Sequence, residues 1–194
     1  MATRVIETMD LAADEVGLFG YGSLLRLANL ERTLGHRYRR DRFVCSISGW
    51  RRAWSSLHPN RRYSYVAADG RRVVPANMLY LNVHPGACQL NGVVYAIPAA
   101  ALPAFDLYEE TYARVEVGER LQGVQVRGGP VYLYVGQPPH VLEAPVGPEV
   151  AAIRRAYVET VEAGIGELGE EFRRGYEASS DGVPVVNVVD AEWA

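Results

Sequence analysis

Between Phe43 and Ile97 the chain carries one strand-like stretch after another, with no helical pattern between them. Phe43–Trp54 (FVCSISGWRRAW) alternates in the manner of a half-buried strand, and Gly49 within it marks a bulge or a bend. Tyr63–Ala67, Ala76–Val83 and Asn91–Ile97 continue the series, with the turn-rich His84-Pro85-Gly86 ahead of the last and a hairpin turn expected at Asp69-Gly70. A doubly wound parallel sheet needs a helix between successive strands, so this middle section does not fit one.

Helical patterns fall outside it. Val16–Tyr21 reads as a buried strand that enters a tight turn at Gly22-Ser23, and Leu25–Leu34 follows with the spacing of an amphipathic helix stopped by Gly35. Ala99–Glu109 is helical in pattern, with Pro103 in the first turn, where a missing N–H does little harm. Strands resume at Tyr112–Val117, Gly123–Arg127 and Val131–Val135, and Pro138–Pro148 reads as a proline-rich crossing loop. Glu149–Tyr176 is the longest helical stretch, interrupted at Gly164, Gly166 and Gly169, and Val183–Val189 is a last strand or an extended segment. The class is α+β, with a curved sheet or small mixed/antiparallel β-barrel. With no linker, repeat or low-complexity tract, 194 residues are expected to form a single domain, led by a loosely packed segment over residues 1–13.

All 20 basic residues are Arg; the chain has no Lys. That excludes pyridoxal-phosphate enzymes, Schiff-base aldolases, Walker-A NTPases and typical protein kinases, each of which needs a Lys amine. Cys45 and Cys88 form no CxxC pair, and His36, His58, His84 and His140 show no metal-binding spacing. No metal or other cofactor is expected. The first residues lack the order of a signal peptide, and no apolar run approaches the 18 or so residues of a membrane span, so a cytoplasmic location is expected. The net charge is −3, but residues 1–72 hold 13 Arg against 7 acids, while the remainder is acidic. Such asymmetry fits either a basic binding surface or basic and acidic parts of one domain facing each other.

Two stretches can carry chemistry. Phe19-Gly20-Tyr21-Gly22-Ser23-Leu24-Leu25 places a glycine-punctuated turn at a helix start, where backbone N–H groups attract anions; the plainer alternative is Ser23 acting as a helix N-cap. In Asp106-Leu107-Tyr108-Glu109-Glu110-Thr111-Tyr112-Ala113-Arg114, Asp106 and Glu109 are three apart and share a helix face. Buried together, they would push one carboxyl upward by desolvation and like charge; otherwise they form a capping pair, or Arg114 neutralises both.

Together these stretches resemble the gamma-glutamylcyclotransferase-like superfamily. The resemblance rests on Tyr21-Gly22-Ser23-Leu24, then Gly92-Val93-Val94-Tyr95, then Phe105-Asp106-x-x-Glu109 and Tyr112-Ala113-Arg114-Val115, in order across residues 16–135. It implies a small β-barrel flanked by helices, with the turn and a catalytic Glu lining one pocket. Glu109 is the expected acid/base, with Glu110 standing where many members have Gly. Tyr21, Gly22, Ser23, Leu24, Tyr112 and Tyr134 are the expected substrate contacts; Tyr134 shares a strand face with Tyr132 that either lines the pocket or caps the core. The turn, or a nearby Arg such as Arg26, would hold a substrate carboxylate. The implied reaction is cofactor-free conversion of a gamma-glutamyl peptide or amine to 5-oxoproline and a free amine, with that small molecule as partner. Two alternatives remain: a non-catalytic carboxylate-binding member of the fold, and an anion or nucleic-acid module using the Arg-rich first third.

Overall fold

The structure is a computed structural model that describes residues 6–193. Its frame is one long antiparallel ribbon. Strands β1 (Glu7–Asp10) and β2 (Glu15–Gly20) lead through a 3-10 turn at Ser23–Leu25 into helix α1 (Leu27–Leu34), and β3 (Phe43–Pro59) then runs for 17 residues. A hairpin of β4 (Tyr63–Val66) and β5 (Arg72–Val73) connects it to β6 (Asn77–Pro98), 22 residues long. Strands β3 and β6 pair from Phe43↔Val94 to Pro59↔Asn77, with register shifts between Ser48 and Trp50 and between Trp54 and Ser56. Gly49 sits at the first shift with φ 83°, a left-handed conformation that side chains resist, and so supplies the expected bulge.

Two such irregularities in one ribbon bend it, and the sheet curls into a half-barrel. The second half of β6 pairs antiparallel with β2 (Glu15↔Pro98 to Gly20↔Val93); its start pairs parallel with a later strand, β11 (Ala151–Arg154). After β6 come helix α2 (Leu102–Tyr108), β7 (Tyr112–Glu116), β8 (Leu121–Gln122), β9 (Val124–Arg127) and β10 (Val131–Gly136). Strand β10 lies between β2 (parallel) and β7 (antiparallel), completing the mixed eight-stranded sheet with β3, β6, β8, β11 and a late two-residue strand paired to β11. Helices α3 (Arg155–Leu168) and α4 (Glu170–Ala178) follow β11, and two-residue strands β12 (Val188–Val189) and β13 (Glu192–Trp193) end the described chain. The α+β class and the curled, helix-flanked sheet agree with the sequence.

The core lies inside the curl and beneath the helices: Leu18, Leu25, Leu30, Ile47, Tyr95, Phe105 and Val131 are fully buried in one cluster. A smaller cluster of Tyr65, Val73, Met78 and Ala152 lies under the β4–β5 hairpin.

Three expectations are corrected. Residues 1–5 lie outside the described chain, but Glu7–Asp10 is no loose lead-in: it pairs parallel with β9 and buries Met9. His84-Pro85-Gly86 is not a turn. Pro85 stands opposite Trp50, beside the Gly49 bulge, where the ladder is already interrupted and a missing N–H is tolerated. Residues 151–154 are strand, because Ala151, Ala152 and Ile153 are buried between β6 and β12; α3 then runs unbroken through Gly164 and Gly166 to stop at Gly169.

Candidate active site

The turn after β2 is anchored from behind. The carbonyl of Tyr21 accepts from Arg52 Nε (2.8 Å), that of Gly22 from Leu25 N–H (2.9 Å), and that of Ser23 from Asn29 Nδ2 (2.9 Å). In a trans peptide the following N–H points opposite to the carbonyl, so the amides of Gly22, Ser23 and Leu24 face away from these anchors. They are the donors that a helix start leaves free. Ser23 makes no side-chain cap, which removes the N-cap alternative. Gly22 leaves the cavity open: a Cβ there would crowd the Tyr157 hydroxyl at 3.3 Å and touch Leu81 at an ordinary 3.6 Å.

Arg52 is the hidden support of this turn. It is fully buried on β3, stacks over the Tyr176 ring at 4.2 Å, and also donates to Ser179 Oγ (2.8 Å) and to the carbonyl and side chain of Asn91. Burial lowers its pKa to about 10, so it stays charged at neutral pH.

Glu109 arrives from the other side. Fully buried Phe105 seats α2, and Glu109 ends it: its N–H donates to Phe105 O (2.8 Å) and its carbonyl receives Tyr112 N–H (2.8 Å). Gly20, Tyr21, Gly22, Ser23 and Leu24 then share one small cavity with Glu109, Leu81, Tyr112, Tyr134 and Tyr157. The surface that Glu109 retains is part of the cavity wall, and desolvation alone raises its carboxyl from 4.5 to about 7. Tyr21, Tyr112 and Tyr157 are pushed well above the usual phenol value, first by burial and then by neighbouring charge, so each stays a hydroxyl. Tyr21 donates to Tyr134 O (2.8 Å) and Tyr112 to Leu81 O (2.7 Å), which fixes both rings.

The buried Asp106–Glu109 pair, one of the readings the sequence left open, is not assembled. Asp106 is bound by Arg114 (2.9 Å) and by the Tyr134 hydroxyl (2.7 Å), and contributes nothing to the shift at Glu109. Glu110 points outward, half exposed, toward Arg61 at 3.4 Å. Glu109 is therefore the more enclosed acid of the two. Arg26 does not line the cavity, while Tyr132 lies beside Arg114 instead of joining Tyr134 there. Cys45 is buried with its thiol pushed up to about 12, Trp50 and Trp54 pack in the core, and the bond between Ser55 and His84 lies in a separate cleft. Among the described residues no cluster of three or more His, Cys, Asp or Glu side chains is placed to hold a metal ion, and no helix is long and apolar enough to cross a membrane. The basic first third meets the acidic remainder directly, through Arg42–Glu167 (3.1 Å), Arg51–Asp181 and Arg61–Glu110.

Tyr157 and Arg52 escaped the sequence reading. Tyr157 was one of several apolar positions on a helix, although a Tyr on such a stripe also requires a partner for its hydroxyl. Arg52 stood in a strand whose Arg residues gave no sign of which was buried.

No protein-family model matches the chain, and no curated protein matches it in sequence. Solved structures do match in shape. YkqA from Bacillus subtilis superposes with a TM-score of 0.56 at 17% identity, over 87% of this chain; the match spans 56% of that longer protein. A structure described as gamma-glutamyl cyclotransferase gives 0.55 at 13% identity, covering 91% of this chain and 94% of that one. A yeast gamma-glutamyl cyclotransferase specific to glutathione gives 0.54 at 14%, covering 86% and 96%.

Proposed function

On the gamma-glutamylcyclotransferase-like fold that these likenesses give the chain, we propose a cofactor-free cyclotransferase that releases 5-oxoproline and a free amine from a gamma-glutamyl compound. One observation carries the reading: Glu109, raised to about 7, shares a small cavity with the outward amides of the turn at residues 22–24.

The substrate's α-amine attacks its own γ-carbonyl carbon, a five-membered ring closes, and the bond to the leaving nitrogen breaks. Nucleophile and electrophile belong to one molecule, so holding it folded supplies the proximity. An α-amine has a pKa of roughly 7.7–8 and is mainly protonated at neutral pH. Glu109, half ionised there, takes a proton from the attacking nitrogen and returns it to the leaving one. The turn's amides receive a negatively charged substrate oxygen, and the neutral hydroxyls of Tyr21, Tyr112 and Tyr157 surround the reacting groups without competing for the proton.

Glu109→Gln preserves shape and removes the base. It is expected to lower 5-oxoproline release by about 10²–10⁴-fold, the usual worth of a positioned acid/base, while the variant stays folded. Near-wild-type turnover by this variant would end the proposal.

A further inference from the structure

Among the described residues no group hydrogen-bonds the Glu109 carboxyl, so its place is set by the backbone that carries it and by the walls around it. That backbone is a tight turn. Tyr112 N–H, donating to Glu109 O, closes it with Glu110 and Thr111 at the two corners. Glu110 holds its corner only by an exposed pair with Arg61, a contact of small worth. Thr111 holds the other from inside. Its buried hydroxyl is hydrogen-bonded to His58 Nε2 at 2.7 Å, and its carbonyl accepts from Gln137 N–H at 3.2 Å.

His58 is itself fixed. It stands near the end of β3, opposite Met78 of β6, and its Nε2 also meets the hydroxyl of fully buried Ser56 at 3.3 Å. Its ring forms a T with Tyr80 (4.7 Å) and lies tilted against Tyr112 (5.4 Å), while Tyr80 forms a second T with Tyr157 (4.7 Å). Tyr112 and Tyr157 are walls of the Glu109 cavity, so one imidazole supports the turn and, directly or through one ring, two of those walls. Burial lowers the His58 pKa to about 4, with His140 assisting and Glu110 opposing, so the ring is neutral where Glu109 titrates. His58 lies with Tyr80 on the cleft outside and not on the wall of the small cavity. It bears on placement, not on the proton's path.

We propose that His58 is a positioning residue for Glu109: through the Thr111 hydroxyl it pins the turn at residues 109–112 to β3, and so keeps the carboxyl inside the cavity it shares with residues 22–24. The effect on rate rests on the cyclotransferase reading, whereas the clamp is a property of the fold. A displacement of about 1 Å at a reacting group costs up to about a hundredfold in rate.

Two variants remove the contact, one from each side. His58→Phe keeps a ring against Tyr80 and Tyr112 without the nitrogen, and Thr111→Val keeps the side-chain shape without the hydroxyl. Each is expected to lower kcat for 5-oxoproline release by about ten- to a hundredfold with KM unchanged, since a displaced base is missed in the transition state and not in binding. Together they should lose no more than the worse of the two alone, because both break one contact. His58→Gln, which returns a polar group near the place of Nε2, should restore most of the rate. Thr111→Val, the gentler change, keeps the test open should His58→Phe fail to fold. A second readout needs no turnover. The Glu109 carboxyl, followed by carbon-13 NMR of glutamate-labelled protein and identified by its loss in Glu109→Gln, should titrate near 7 in wild type and move toward 4.5 in both contact variants. Losses that add, or a rate or titration left unmoved in the folded variants, overturn the clamp and leave the cyclotransferase. If wild type turns over none of a panel of gamma-glutamyl dipeptides and amines but the titration shifts as stated, the reaction falls and the clamp remains. No turnover and no shift overturns both.

Discussion

Glu109 is raised because it is desolvated, and that fixes the sign of two pH effects. A base with a pKa of about 7 must be ionised to work, so kcat/KM should fall about tenfold per pH unit below that value. A pH–rate profile with an acid limb near 4.5 would instead indicate a solvated carboxylate. For stability, a raised carboxyl pKa means that the fold prefers the neutral acid. Its favourable contribution is complete below about pH 4.5 and is lost as pH rises through about 7. Glu109→Gln should accordingly be more stable than wild type at about pH 8, by up to about 3 kcal/mol, with the gain vanishing toward pH 4.5 in urea titrations. Arg52 carries the opposite sign of risk. Arg52→Met strands the Tyr21 and Asn91 carbonyls and is expected to cost roughly 2–4 kcal/mol, and Arg52→Lys should rescue little because one ammonium cannot reproduce the fork. Glu109 was legible because its motif is local; the depth of Arg52 was not, since burial of one Arg among many depends on what folds over it.

At the level of elements, α3 must sit hard against the turn that it backs. A Cβ on Gly164 would fall 2.7 Å from Arg26 N and 2.8 Å from Leu25 C, backbone atoms that cannot swing aside. Gly164→Ala gains helix propensity yet should lift α3, carrying Tyr157 away from Gly22; both melting temperature and 5-oxoproline release should drop. An unchanged melting temperature would mean that the helix accommodates the methyl. Long or strongly patterned elements were readable: β2, α1 and the first half of β3 lie within a residue or two of their expected limits, as does α2 once the 3-10 turn at Ala99–Ala101 ahead of it is included, and Gly35 ends α1 with φ 75°. Strands β1, β8 and β11 were not, for they are two to four residues long and exist through their partners rather than through any period of their own. The same cause hid the run through Pro85, where β3 holds a local turn signal straight.

Across the whole molecule, part of the charge imbalance along the chain closes on itself, through bridges such as Arg42–Glu167 and Arg51–Asp181. The outer cleft beyond Glu109 gathers Arg32, Arg61, Arg62 and Arg154, and no window of sequence could have located that cluster, because α1, the β3–β4 turn and β11 lie far apart in the chain. The minor cluster under the hairpin is tied to the main core by β6 and β11, which run through both. Thermal or urea unfolding followed by far-UV and near-UV signals should therefore give one coincident transition; two separated steps would mean that the hairpin region melts independently.

Ringed by phenols that do not release their hydrogens, the carboxyl at the end of α2 has no hydrogen-bonded side chain to relay to among the described residues. Under the proposed chemistry, whatever hydrogen it borrows when a ring closes must be repaid to the departing nitrogen before the next substrate enters. Each cycle thus begins and ends in the same state, a self-resetting switch that calls on no outside donor.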